Sequence, residues 1–157
     1  MSQRDAAEST AAAVGTWELL DFDRVMATAN TWEGIESALL AIPKKASSPN
    51  AIATLVAPNG DTLSIGIASS LDGDNPGLDQ PLACVEFNQA SQDPPYLVPI
   101  GDPTLTAEDG GAVVFRFEGQ WTEIPRRNCV PVDVMLQIAK HFFLTGTLAD
   151  WIDWEPV

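Results

Sequence analysis

The chain has 157 residues, 45% of them apolar, and 22 acids against 8 bases, for a net charge of −14. That length suits one domain with a sizeable core, and the charge argues against a nucleic-acid or anionic-membrane surface. No apolar run approaches the roughly 18 residues of a membrane span, and two cysteines, Cys84 and Cys129, are too few for a disulfide framework and have no zinc spacing.

Residues 1–13 are small, polar and alanine-rich, which predicts a frayed tail before a domain over 14–157. With no apolar segment there, no secretory signal is expected and a cytoplasmic location is. Val14–Phe22 reads as a first strand with Trp17 and Leu19 on one face. Asp23–Asn30 reads as a connection or weak helical turn. Thr31–Ile42 has helical spacing, with Trp32, Ile35, Leu39 and Ile42 on one face, a cap at Asn30 or Thr31, and Pro43 ending it.

Ala51–Ala57 and Thr62–Ala68 alternate and flank Asn59-Gly60-Asp61, the clearest hairpin in the chain. Turn-formers fill 69–81. Leu82–Phe87 and Tyr96–Ile100 are further strands, separated by a polar segment. Asp102–Gly111 is a second acidic loop. Ala112–Phe117 and Gln120–Ile124 make a second hairpin across Glu118-Gly119.

The best helix follows. Pro131 suits its first turn, and Asp133 sits at the positive end of its dipole. Met135, Ile138, Ala139, Phe142 and Phe143 form one apolar stripe, and Gly146 stops it. Trp151–Trp154 alternates again as a last strand. The expected fold is α+β: a largely antiparallel sheet with two principal helices packed on it.

Chemistry-bearing patterns are sparse. The one histidine, His141, lacks a nucleophile in a recognisable motif, so histidine-based triads and multi-histidine metal sites are not expected. The segment from Asp72 to Asp79 has acids at the first and third positions of a calcium loop. Pro76 and Ala83 occupy its fifth and twelfth positions, where ligands are needed, so a polar loop is the better reading. No phosphate-binding glycine loop is present. Asp72 and Asp74 lack the apolar surroundings that raise a catalytic carboxyl. Arg126-Arg127 reads as a solvated pair. No cofactor or metal is expected.

Charge distribution says more. No Lys or Arg lies between Lys45 and Arg116, while that interval holds Asp61, Asp72, Asp74, Asp79, Glu86, Asp93, Asp102, Glu108 and Asp109. A field of one sign speeds encounter with a cationic protein. The same pattern also describes solvated loops with no partner.

Phe117, Gly119, Trp121, Glu123, Ile124 and Pro125, then Val130-Pro131, Phe142-Phe143, Thr145-Gly146 and Trp154, stand in an order that resembles the C-terminal half of immunity protein family one of bacterial polymorphic toxin systems. Tyr96, Gly101 and Asp102 fit the strand region before it. The likeness covers roughly residues 94–155, and a proline after the helix-ending glycine is missing here. The resemblance implies an inhibitor that occludes a secreted toxin, often a nucleic-acid deaminase, whose surface should be basic. It favours this over an acidic scaffold or a small enzyme with an unrecognised site. On that reading Asp72, Asp74, Asp79, Asp93, Asp102, Glu108 and Asp109 form the toxin-binding face, with Leu71, Leu78 and Tyr96 as apolar anchors.

Overall fold

A computed structural model describes residues 15–89 and 96–157. Ten strands form one sheet. The strands are β1 (Trp17–Asp21), β2 (Arg24–Ala29), β3 (Ala51–Val56), β4 (Thr62–Ala68), β5 (Leu82–Asn88), β6 (Tyr96–Pro99), β7 (Ala112–Phe117), β8 (Gln120–Pro125), β9 (Cys129–Pro131) and β10 (Trp154–Pro156). The helices are α1 (Trp32–Leu40), the short α2 (Ile42–Lys45) and α3 (Val132–Thr145).

The main sheet runs β10-β6-β5-β4-β3-β1-β2, all neighbours antiparallel. The β7–β8 hairpin joins through a short parallel pairing of β7 with β3, and β9 pairs with β5. The sheet is thus largely antiparallel with two sizeable helices, an α+β fold.

One face of the sheet carries the larger core. Trp17, Leu19, Ala53, Leu55, Leu63, Ile65, Val85 and Phe87 are buried there beneath Ile35 and Leu39 of α1 and Met135, Ile138, Phe142 and Phe143 of α3. Phe142 meets Trp17 edge-on at 5.3 Å and Phe87 at 5.5 Å between ring centroids, the geometry aromatic quadrupoles favour. Gly146, at φ +73°, ends α3 and returns its N–H to the Phe142 carbonyl.

The other face is covered over only part of its area. Ile52, Ala68, Leu82 and Cys84 are buried under Val113 and Phe115 of the β7–β8 hairpin. Gly66, in mid-strand, is required here: a Cβ would lie 2.9 Å from the Phe115 ring. The hairpin turns at Glu118 and Gly119, both at positive φ.

Several local readings are corrected. Asp23–Asn30 is not a connection: Arg24–Ala29 is strand β2, because Phe22 takes φ +60° and turns the chain back on β1. Pro43 does not end helical structure but opens α2, where its missing N–H costs nothing. The alternation of the first hairpin is observed: Leu55 faces Leu63 and Ala53 faces Ile65 on the helix side, and Ile52 and Thr54 point to the opposite face. Pro131 closes β9 and caps α3 rather than lying within it. The last strand begins at Trp154, later than the alternation suggested. The expected tail at 1–13 lies outside the described residues.

Candidate functional site

The acidic loops are more structural than their composition suggests. Asp74 accepts two hydrogen bonds from Arg116, both at 3.2 Å, and one from Asn50 Nδ2 at 3.3 Å. These donors hold its carboxyl below the usual carboxylate range, Arg116 contributing most. Next to it, buried Asn75 exchanges two hydrogen bonds with the Val114 backbone, at 2.9 and 2.8 Å. The loop after β4 is thereby tied to β7, not held out as a calcium loop.

Leu78 is half-buried against the smaller core, while Asp79 and Leu71 are exposed. Asp72 closes a short 3-10 turn. In the loop between β6 and β7, Asp102 accepts from the backbone and hydroxyl of Thr104, which lower its pKa. Glu108 and Asp109 are exposed there. Asp93 lies outside the described residues.

Arg127 departs from the solvated reading of its pair. Its Nε lies 3.1 Å from Glu155 Oε2, and Asn128 donates to the same oxygen at 2.8 Å and to the Pro99 carbonyl. Arg127 also donates to the Leu105 carbonyl. This cluster joins β6, β10 and the second acidic loop. It holds the Glu155 carboxyl below its usual range, chiefly through Arg127. Gly101 sits against the same turn, where a Cβ would run into the Cys129 carbonyl oxygen, a steric reason for glycine in that motif.

Tyr96 belongs elsewhere. It pairs with Asn88, across from Thr62, Val56, Glu18 and Thr28 in successive strands, so these side chains share the sheet face away from the helices. A second row on that face runs Val25, Leu20, Thr54, Ser64 and Glu86. Every residue in both rows is at least partly exposed. Tyr96 thus stands on a strand of the open sheet face rather than within either described acidic loop.

Where the hairpin leaves this face, a cleft of about 180 Å³ opens between Ile52, Cys84, Glu86, Val98, Phe117, Ile124 and Val157. Burial raises the Glu86 carboxyl, and no described residue hydrogen-bonds or ion-pairs with it. Phe117 of its lining is 42% exposed, and Phe22, beyond the lining, is 47% exposed. The Phe22 ring reaches the β7–β8 turn, since a Cβ on Gly119 would stand 3.5 Å from its Cζ. Sequence reasoning missed this surface. The only local signal was a half-polar alternation in β3 and β4.

Other reactive groups are built into the fold. Cys84 and Cys129 face each other across β5 and β9 as buried free thiols, and burial pushes Cys129 up to about 12. His141 Nε2 lies 3.3 Å from the Thr147 hydroxyl on the exposed end of α3. Among the described residues no three His, Cys, Asp or Glu side chains are grouped to hold a metal ion. No helix among them is long and apolar enough to cross a membrane.

One face of the sheet is thus closed by helices, and the other keeps a broad half-polar region. The chain belongs to the Imm1 family of immunity proteins, whose family pattern matches residues 23–156. This extends the likeness well into the N-terminal half and places the protein among toxin-neutralising immunity proteins. No curated protein matches it.

Proposed function

We propose that this protein neutralises a cognate toxin that acts on nucleic acid, with deamination the favoured chemistry, by binding the toxin domain and occluding its active-site surface. It does so as a stoichiometric inhibitor in the cytoplasm, without cofactor or catalytic step. The observation that carries the reading is the Imm1 match over residues 23–156 in a chain of net charge −14. A toxin that grips a polyanion presents a basic surface, and an acidic inhibitor is attracted to that surface.

The acidic loops supply part of this field. Asp79, Glu108 and Asp109 are exposed and suited to steering, whereas Asp74 is engaged by Arg116 and Asn50 and Asp102 by Thr104 of its own loop. The decisive experiment is co-expression with the toxin-like C-terminal domain encoded beside this chain's gene. Rescued growth and 1:1 capture are expected. Absence of both would overturn the reading and leave an acidic scaffold or an enzyme.

Changing Asp79, Glu108 and Asp109 together to their amides should slow association and flatten its salt dependence, with dissociation little altered. Unchanged association across a salt series would remove these loops from the encounter.

A further inference from the structure

Charge brings a partner close, but retention needs a desolvated anchor. Four observations place one on the half-open sheet face. First, that face presents Val25, Leu20, Thr54, Val56, Thr62 and Tyr96 partly exposed across the four adjacent strands β2, β1, β3 and β4 and on β6, a broad surface mixing apolar and hydroxyl groups.

Second, the cleft at its edge holds about 180 Å³. Pockets for small molecules run at roughly 300–1,000 Å³, so this one suits a single long side chain better than a metabolite. Third, its walls are mostly apolar, with the hydroxyls of Ser64 and Thr122 among them, and Glu86 is the one carboxylate side chain in the lining, part-buried and without an ion-pair partner among the described residues. Taking a charge out of water without pairing it is unfavourable, so the site is complementary to a cation on an apolar stem.

Fourth, Phe22 is an exposed aromatic in the left-handed backbone region, at φ +60°. Both features cost the folded state energy without burying the ring, which is what an interface anchor looks like before its partner arrives. The charge on the face has one sign: its two rows contain Glu18 and Glu86 and no Lys or Arg.

We propose that the toxin docks on this half-open sheet face and inserts one lysine or arginine into the cleft, its stem against Ile52, Phe117, Ile124 and Val157 and its charge on Glu86, while Phe22 and Tyr96 close over the flanks. This rests on the immunity reading and gives it an address. The acidic loops govern arrival, and the sheet face governs residence. Pairing with the inserted cation supplies the counter-charge that Glu86 lacks among the described residues.

The test uses the full chain and the toxin domain encoded beside it, with affinity and rates measured by surface plasmon resonance and folding checked by circular dichroism. Phe117→Ala should weaken binding roughly 30-fold or more, mostly through faster dissociation. Glu86→Gln should weaken it about tenfold. Because Phe117 also packs within the hairpin, Tyr96→Ala and Phe22→Ala serve as second variants on exposed side chains, each with an expected loss of about fivefold or more.

If the wild type binds and rescues growth while all four variants bind within about twofold of it, the docking inference fails and the immunity reading stands. If the wild type neither binds nor rescues, both fall. A free chain that dimerises through this face, with Tyr96→Ala abolishing the dimer but not toxin binding, would assign the surface to a second copy and overturn the inference.

Discussion

The two faces of the sheet are built to different ends. On the helix side, Trp17, Phe87, Phe142 and Phe143 interlock among side chains that are 5% exposed or less. On the other side, the hairpin buries Cys84 and Ile52 and then stops, leaving Thr54, Ser64 and Glu86 beyond it half-open. β4 alternates between these environments: Leu63 and Ile65 point into the closed core, while Thr62 and Ser64 point out. Stability is concentrated where side chains meet other side chains of this chain. The half-open face, which contributes little of it, is free to carry recognition.

The sharpest way to break the comparison is to cut the closed face. Phe142→Ala removes a ring that touches both Trp17 and Phe87, and large aromatic truncations in cores cost about 3–5 kcal/mol. Urea denaturation should show a loss of that size. A loss under about 1 kcal/mol would mean that the core is less tightly packed than the ring contacts imply.

The second break lies where the hairpin is fastened. Asn75→Ala leaves the buried N–H and carbonyl of Val114 without partners. Each unsatisfied buried group costs about 1–3 kcal/mol, so a total of about 2–6 kcal/mol is expected, with hydrogen exchange at β7 and β8 accelerated more than at α3. Uniform acceleration would show that the hairpin does not open separately.

Both breaks mark the limits of the sequence. The first hairpin was legible because Asn59-Gly60 names its own turn, and α3 because its apolar spacing and Gly146 are local signals. The helix stripe and the closed core followed from the same periodicity. Strand β2 was not legible: its turn depends on Phe22 at positive φ, which no residue preference announces. Asn75 was read as one more turn-former because its partner is 39 residues away. Asp74 looked like a free acid because Arg116 is 42 residues away, and Arg127 looked solvated because Glu155 is 28 residues away. Pairing over such distances is fixed by the topology of the sheet. The half-open face was hidden for the same reason: Glu18, Thr54, Glu86 and Tyr96 become neighbours only once five strands have paired.

A third break probes the far edge of the sheet by pH. Glu155 has a carboxyl pKa lowered from 4.5 by Arg127 and Asn128. The folded state therefore binds fewer protons than the unfolded chain in mild acid. The resulting stability is fully present above the ordinary carboxylate range and is lost as pH falls through the lowered value. Arg127→Leu should cost about 1–2 kcal/mol at neutral pH, the scale of lost charge-assisted hydrogen bonds. It should also flatten the acid limb of a plot of stability against pH. An acid limb as steep as in the wild type would exclude Arg127 as the cause of the shift.

The smallest change is the most diagnostic, because its sign is opposite. Burial raises the Glu86 carboxyl above its ordinary value of 4.5, so the folded state binds the proton more tightly than the unfolded chain does. Stability from this group is present in acid and declines as pH rises through the raised value. At neutral pH the charged carboxylate is a small liability to the free fold. Glu86→Gln has the same shape without the charge, so it should raise the melting temperature slightly at neutral pH and leave it unchanged in acid. The same variant should bind the toxin less well. A residue kept for packing or hydrogen bonding within the fold would lose stability and binding together. Opposite movement of the two would separate the working face of the sheet from the closed one at a single position, and a Glu86→Gln protein that melts below the wild type at neutral pH would erase the distinction there.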